Sequence, residues 1–271
     1  MQEHSCQNCG QTIDKLLSKV VYPDPFVSGL HNVQAFQYDQ FKRCTKIETG
    51  NIDSNVSSPA FKVNTSYTFY YNGSAKNPSY MERRVPNAFP NVTRRYYFFF
   101  DNLGKKLKDS ARIAVTPSQF TERNISINRS GNMIITTPRY VNLSLDNSNF
   151  DTLMIGSNNI DVIRTRIFKE TGKHEYQLAE YGYDGAINPF SKINISESFL
   201  FTNSSVGYSF LGPGLTRYIG FSRNNCTGYS IDGIPETSIQ YSYDKDQYPV
   251  IAVATYQGTT YKQVAYFEYY P

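Results

Sequence analysis

The side chains best spaced for chemistry are Cys6 and Cys9, a Cys-x-x-Cys pair with His4 two residues before it. That spacing suits a zinc site, a redox dithiol or disulfide partners. A structural zinc site needs four convergent ligands, and the two other cysteines, Cys44 and Cys226, stand singly without a second pair. A redox dithiol opens a helix within a βαβ setting, which is not readable here. The expectation is therefore no metal and a disulfide set of Cys6, Cys9, Cys44 and Cys226, with three pairings open. Bonding Cys6 and Cys9 to Cys44 and Cys226 would staple the N-terminal segment to the body.

Catalytic constellations are sparse. The three histidines are His4, His31 and His174, and there is no Gly-x-Ser-x-Gly elbow, phosphate loop or His-Glu-x-x-His motif. A glycoside hydrolase needs only two carboxylates, for which Glu180, Asp184 and Glu236 are candidates, but the absence of Trp counts against a sugar-cleaving cleft. Asp244-Lys245-Asp246 could hold calcium, yet it lacks the full EF-hand pattern. No catalytic residue, cofactor or metal is assigned, and the chain is expected not to be an enzyme. The net charge of +4 with no long basic run argues against nucleic acid as a partner.

Modification chemistry is better represented. Ten Asn-x-Ser/Thr acceptor sites occur, at Asn55, Asn64, Asn72, Asn91, Asn124, Asn128, Asn142, Asn194, Asn203 and Asn225. Chance would supply about four, which favours N-linked glycans and passage through a secretory pathway. No apolar run is long enough to cross a bilayer as a helix. Met1-Gln2-Glu3-His4-Ser5-Cys6 reads like a mature N-terminus behind an added methionine, with a signal peptide removed, and an anchor cut away after Pro271 is compatible with the sequence.

The elements that must position these residues are strands. With 23 Tyr, 18 Phe and only 18% charged residues, the 271-residue chain suits half-exposed sheets and can bury a sizeable core. In Glu122 to Thr137, Ile125 and Ile127 alternate with Asn124, Ser126 and Asn128, and Ser130-Gly131-Asn132 supplies a turn. A three-residue loop would set Ile135 opposite Ile127. Both asparagines of that strand are acceptor sites on its polar face. Ile160 to Tyr183 reads as a second hairpin, with its turn at Glu170 to Lys173. Val250 to Tyr256 and Thr259 to Tyr270 read as a third. Arg94 to Phe100 holds five successive rings, of which at least two must point inward, so a core strand is favoured over an aromatic binding platform. Lys76 to Asn91 reads as a long connection.

One helix is expected, capped by Thr12, with Ile13, Leu16, Leu17 and Val20 at helical spacing and Pro23 and Pro25 ending it. The fold expectation is all-β, an antiparallel β-sandwich or jelly roll with that short N-terminal amphipathic helix. Residues 1–25 form a stapled N-terminal segment and 26–271 one β-rich domain; a split near 146–150 is disfavoured. The functional expectation is a secreted or cell-surface N-glycosylated ectodomain acting in recognition or adhesion. Its alternatives are a viral attachment glycoprotein, a subunit of an extracellular coat or filament, and a secreted glycoside hydrolase. Partners would be extracellular proteins or glycans, met on faces without acceptor sites, with self-assembly through strand edges also open.

Overall fold

The computed structural model describes residues 15–24, 26–86, 93–114, 120–141, 150–156, 159–168, 174–193, 222–257, 259 and 261–271. In chain order the strands are β1 (Leu17–Pro23), β2 (Leu30–Tyr38), β3 (Cys44–Asp53), β4 (Lys62–Tyr70), β5 (Tyr80–Arg84), β6 (Thr93–Phe100), β7 (Lys106–Ala114) and β8 (Phe120–Ser130). They continue as β9 (Met133–Val141), β10 (Phe150–Gly156), β11 (Asn159–Phe168), β12 (His174–Ile187), β13 (Asn224–Ile231), β14 (Ile234–Tyr243), β15 (Pro249–Tyr256) and β16 (Lys262–Tyr269). A short 3-10 turn, η1 (Pro189–Lys192), lies between β12 and β13. Each strand pairs antiparallel with its sequence neighbours, and β1 pairs with β16, so the sheet closes into a 16-strand barrel.

This corrects the expectation of a sandwich or jelly roll. The same alternation serves both architectures, since each buries one face of every strand. Closure also leaves neither β1 nor β16 with a free edge. The expected N-terminal helix is likewise corrected: Leu17 and Val20 belong to β1. A register shift between Leu17 and Lys19 marks a bulge, which puts Leu17 and Val20 on one face although they are three residues apart. That spacing imitates a helical repeat. Lys76 to Asn91 is not one long connection either, because β5 lies within it.

The inward face carries an apolar cluster with a few buried polar residues, Gln34, Asp109, Thr136 and Asp151 among them. Tyr67 and Phe69 of β4, Tyr96 and Phe98 of β6, Ile125 and Ile127 of β8, Ala252 and Ala254 of β15, and Ala265 and Phe267 of β16 are buried in one core cluster. Their alternates look outward and are largely polar or charged, and several pair along the wall: Lys19 with Glu268 at 2.9 Å, Lys46 with Glu48 at 2.6 Å, and Arg95 with Glu82. Arg95, Tyr97 and Phe99 take the outward positions of β6, and Tyr97 joins Tyr80 and Tyr70 in an outer aromatic row. The aromatic run is thus shared between core and wall.

The β8–β9 hairpin has the predicted inward pair Ile125 and Ile127, but Ser130 pairs with Met133, so its loop is Gly131-Asn132. Gly131 has φ 57, as a two-residue hairpin loop requires. The register is shifted by one from the expectation: Ile127 faces Thr136, and Ile134, not Ile135, enters the core. The β11–β12 hairpin pairs Val162 with Glu180, Arg164 with Leu178 and Phe168 with His174, matching its sequence reading.

A recurring turn shapes the barrel end that holds the chain termini. In the β2–β3, β6–β7 and β14–β15 connections, Asp39, Asp101 and Asp244 each accept two backbone amides on Oδ1. The donors are Phe41 and Arg43, Leu103 and Lys105, and Asp246 and Tyr248. The fourth residue of each turn has positive φ: Lys42 at 59, Gly104 at 74 and Gln247 at 66. Each adjoining strand pair carries a register shift beside its turn. Near the same end, five tyrosine hydroxyls donate to a carbonyl at the start of the preceding strand. Tyr38 reaches Leu17 at 3.0 Å, Tyr71 Cys44 at 2.7 Å, Tyr183 Ile160 at 2.6 Å, Tyr241 Cys226 at 2.7 Å and Tyr269 Pro249 at 2.8 Å. These latches satisfy carbonyls where bulges interrupt the ladder.

Candidate functional site

The barrel mouth at the terminal end is built from hairpin ends and from residues 188–193 and 222–223, which follow β12 and precede β13. Asn188 starts η1: its Oδ1 accepts the Phe190 amide at 3.0 Å and its Nδ2 donates to the Ser222 carbonyl at 2.7 Å. Its own amide donates to the Arg223 carbonyl at 3.0 Å, so both arms of the connection are tied together. Ser222 Oγ accepts the Ile160 amide at 3.0 Å, and Asn224 and Asn159 exchange hydrogen bonds of 3.0 and 3.1 Å. The base of the connection is thereby strapped to the start of β11.

From that base η1 enters the lumen. Phe190 is buried, with its ring 6.3 Å from Phe36 of β2 and 6.2 Å from Phe267 of β16. Ser191 and Lys192 instead share a pocket with Met133 and Ile134 of β9, on the opposite side of the strand order. Sixteen strands at ordinary spacing and tilt make a round barrel roughly 30 Å across, which would leave an apolar lining wet. Here that lining is buried, and η1 is one element that closes the interior.

The pocket beside η1 has a volume of about 520 Å³. Its apolar side is Met133, Ile134 and Ile155; its polar side brings together Lys105 of the β6–β7 turn, Arg129 of β8, Lys192 of η1 and Arg223 just before β13. No carboxylate occurs among the described residues lining it. Four converging cations against a protein wall create a positive potential that favours an anionic guest. Just inside, Lys106 and Asp109 are fully buried and pair at 2.8 Å, with Lys106 Nζ 4.9 Å from the Phe98 ring centre. That pair is internally neutral.

The residues singled out by sequence do not form this site. Cys44 and Cys226 are buried thiols on β3 and β13, with Sγ 3.6 Å from the Lys46 carbonyl and 3.4 Å from the Gly228 carbonyl. This corrects the expected disulfide pattern for those two; Cys6, Cys9 and His4 lie outside the described residues. Thiols inside a closed wall are kept from a partner and from oxidant by packing alone.

The acceptor asparagines scatter over the barrel. Asn55 and Asn72 sit in connections at opposite ends, Asn64 is exposed on β4, and Asn124 and Asn128 take the outward parity of β8. Asn225 is fully buried, so the folded barrel has no room for a glycan there. Asn91, Asn142, Asn194 and Asn203 lie outside the described residues.

Asp184 serves the scaffold: it accepts the Tyr243 hydroxyl and the amides of Ala186 and Asn225. Glu180 faces outward from β12. Asp244 and Asp246, considered for calcium, are occupied by Lys15, whose Nζ lies 2.6 and 2.7 Å from them. Burial works to raise the Asp244 pKa, but the Lys15 ammonium and the amides of Tyr248 and Asp246 outweigh it and hold the carboxyl below the usual aspartate range. The two carboxylates in turn hold the Lys15 ammonium above its ordinary value. Among the described residues no cluster of His, Cys, Asp or Glu could hold a metal ion.

Sequence reasoning singled out none of Lys105, Arg129, Lys192 and Arg223 for a site. Arg129, Lys192 and Arg223 lie in separate segments, and Lys105 opens the short basic stretch Lys105, Lys106 and Lys108. Only the placement of all even-to-odd connections at one barrel end brings them together.

The chain matches no protein-family model and no curated protein. Among solved structures it is similar to a porin-like protein from Bacteroides vulgatus, with a TM-score of 0.55 at 14% identity over 95% of this chain and 99% of the other. It is also similar to a porin-like protein from Bacteroides uniformis, with a TM-score of 0.55 at 12% identity over 94% and 98%. At these identities the likeness is one of fold. A closed barrel of porin-like fold takes the place of the expected glycosylated recognition or adhesion ectodomain and of its attachment, coat and hydrolase alternatives.

Proposed function

We propose that the chain is a non-catalytic barrel of porin-like fold at a cell surface, which captures anionic solutes in the basic pocket at its plugged mouth. The observation that carries this reading is the convergence of Lys105, Arg129, Lys192 and Arg223 on one pocket without a carboxylate among its described lining. Its volume of about 520 Å³ lies in the range of small-molecule sites. Capture is favoured over free conduction because η1 is held in the lumen by Phe190 and the inward wall carries a buried apolar cluster, unlike a water-filled channel.

The wall bears on where the barrel works. A bilayer-spanning barrel turns an apolar band outward, whereas this one turns out Lys19, Lys46 and Arg95 with their carboxylate neighbours, and Arg164 stacked on Tyr176. Each Lys or Arg costs about 2–4 kcal/mol at the bilayer midplane, falling to about 0–1 near its surfaces. Four near the midplane would consume roughly the 5–15 kcal/mol by which a domain is stable. We therefore favour a wall in water. A membrane-embedded barrel is the second reading, supported by the fold likeness and by the outward row of Tyr70, Tyr80, Tyr97 and Phe99.

Calorimetric titration of the full chain with tripolyphosphate at low and high salt tests the capture reading. Lys192→Gln and Arg223→Gln should each weaken binding about five- to tenfold and flatten its salt dependence. Binding that is absent, or unchanged in the double variant, refutes it. Flotation with liposomes addresses location: a chain that stays soluble without detergent and does not float supports the water-facing wall, and carbonate-resistant co-flotation supports the second reading.

A further inference from the structure

We infer that the barrel carries a second site toward the end opposite its plugged mouth, one that takes a neutral sugar ring; it is separate from the basic pocket and does not depend on it. A cavity of about 150 Å³ lies there among Tyr22 of β1, Asn32 and Gln34 of β2, Thr49 of β3 and Asn64 of β4, and no charged side chain occurs among the described residues lining it. Strand register gathers these groups. Gln34 pairs with Val20 and Asn32 with Tyr22, which gives both the inward parity of Phe36. On β3, Thr49 then falls opposite Gln34 and Asn51 opposite Asn32. The inner wall therefore changes character along β2, from Phe36 against the Phe190 ring to Gln34 and Asn32 nearer the far end.

The amides on this wall form a relay. Asn64 Nδ2 donates to Asn51 Oδ1, Asn51 Nδ2 to Asn32 Oδ1 at 2.9 Å, and Asn32 Nδ2 to Asp24 Oδ2 at 3.2 Å. The Asp24 carboxylate, whose Oδ1 accepts the Phe26 and Val27 amides at 2.9 and 3.1 Å, fixes the direction of the whole row. Each Nδ2 spends one of its two hydrogens on the relay, and Asn64 Oδ1 accepts nothing within it. Oriented donors and an acceptor thus border the cavity beside the Thr49 hydroxyl and Tyr22. A sugar answers each part: its hydroxyls both donate and accept, and its C–H face suits an aromatic neighbour. An anion would find no cation in the described lining and would meet the negative end of the relay at Asp24. A hydrocarbon would strip water from Asn32 and Asn64 without replacing its hydrogen bonds. The volume falls below the roughly 300–1,000 Å³ of a drug-sized site, which limits the guest to a single ring.

The test is saturation-transfer NMR on the full chain with glucose, galactose and mannose, each alone and with excess tripolyphosphate. At least one hexose should bind with a Kd on the order of 1 mM, indifferent to salt and to tripolyphosphate. Asn64→Ala and the near-isosteric Thr49→Val should each weaken it about two- to tenfold, with urea melts confirming a folded barrel. Failure of all three hexoses to bind overturns the inference, as does binding that neither substitution changes. Displacement by tripolyphosphate would put the sugar in the basic pocket and also overturn it. None of these outcomes bears on anion capture, which the tripolyphosphate titration tests by itself.

Discussion

Replacing Phe190 by Ala would test whether η1 is a docked plug. The ring is 4% exposed and meets Phe36 and Phe267. Truncating a buried Phe costs about 3–5 kcal/mol, and the lower end of that range is taken here. Each lost aromatic contact accounts for about 0.5–1.5 kcal/mol of that. A loss of about 3 kcal/mol raises the population of the undocked state by roughly two orders of magnitude. Two measurements report it. Urea unfolding followed by circular dichroism should move to lower denaturant. Native-state alkylation of the buried thiols Cys44 and Cys226, read by mass spectrometry, should accelerate, because opening the plug admits reagent to the lumen. A Phe190→Leu control should recover most of both effects. If Phe190→Ala costs less than about 1 kcal/mol and the thiols stay as protected as before, η1 does not close the barrel and the reasoning from its ring contacts fails.

Three other outcomes are expected. Lys42→Gly and Gln247→Gly should each stabilise the barrel by about 0.5–1 kcal/mol in urea melts, because both residues hold positive φ at the position Gly104 fills in the related turn, and Gly104→Ala should cost a similar amount. Tyr241→Phe should cost about 1 kcal/mol by removing a hydroxyl that serves the Cys226 carbonyl, with the loss concentrated in faster amide exchange at the β13–β14 end. Acid should weaken the turns: the Phe26 amide helps hold the Asp24 carboxyl below its usual range, and Asp39 and Asp244 are lowered too. A depressed folded pKa gives stability that is full above the unfolded value near 4 and is lost as pH falls through the folded one. Urea midpoints should therefore be flat from pH 7 to 5 and decline below about 4; a decline already complete at pH 5 would exclude these carboxyls as its cause.

Strand parity was readable where a strand is regular. Ile125 and Ile127 against Asn124 and Asn128 sorted correctly between core and wall, because one buried face imposes a period of two. Bulges broke the reading elsewhere. At Leu17 and Val20 one inserted residue converted a strand period into an apparent helical one. Barrel closure was not legible, since β1 finds β16 through long-range pairing that leaves no local mark. The basic pocket was illegible for a related reason: Lys105, Arg129, Lys192 and Arg223 share an end only through topology. The threefold turn at Asp39, Asp101 and Asp244 did carry a local signature, an aromatic residue followed by Asp with a basic or aromatic residue four positions on. Its irregular spacing along the chain hid it from a search for fixed periods.

The pairing of β1 with β16 also dictates an order of events during biosynthesis. Every other strand can find its partner in a sequence neighbour as the chain emerges, but the seam needs Lys262–Tyr269 before it can form. Until then the nascent sheet has two open edges and its Ile-, Phe- and Tyr-rich inner face is uncovered. The residues of β16 are thus the ones that end the sheet's exposure to aggregation, and truncating β16 should produce an insoluble product instead of a slightly smaller barrel.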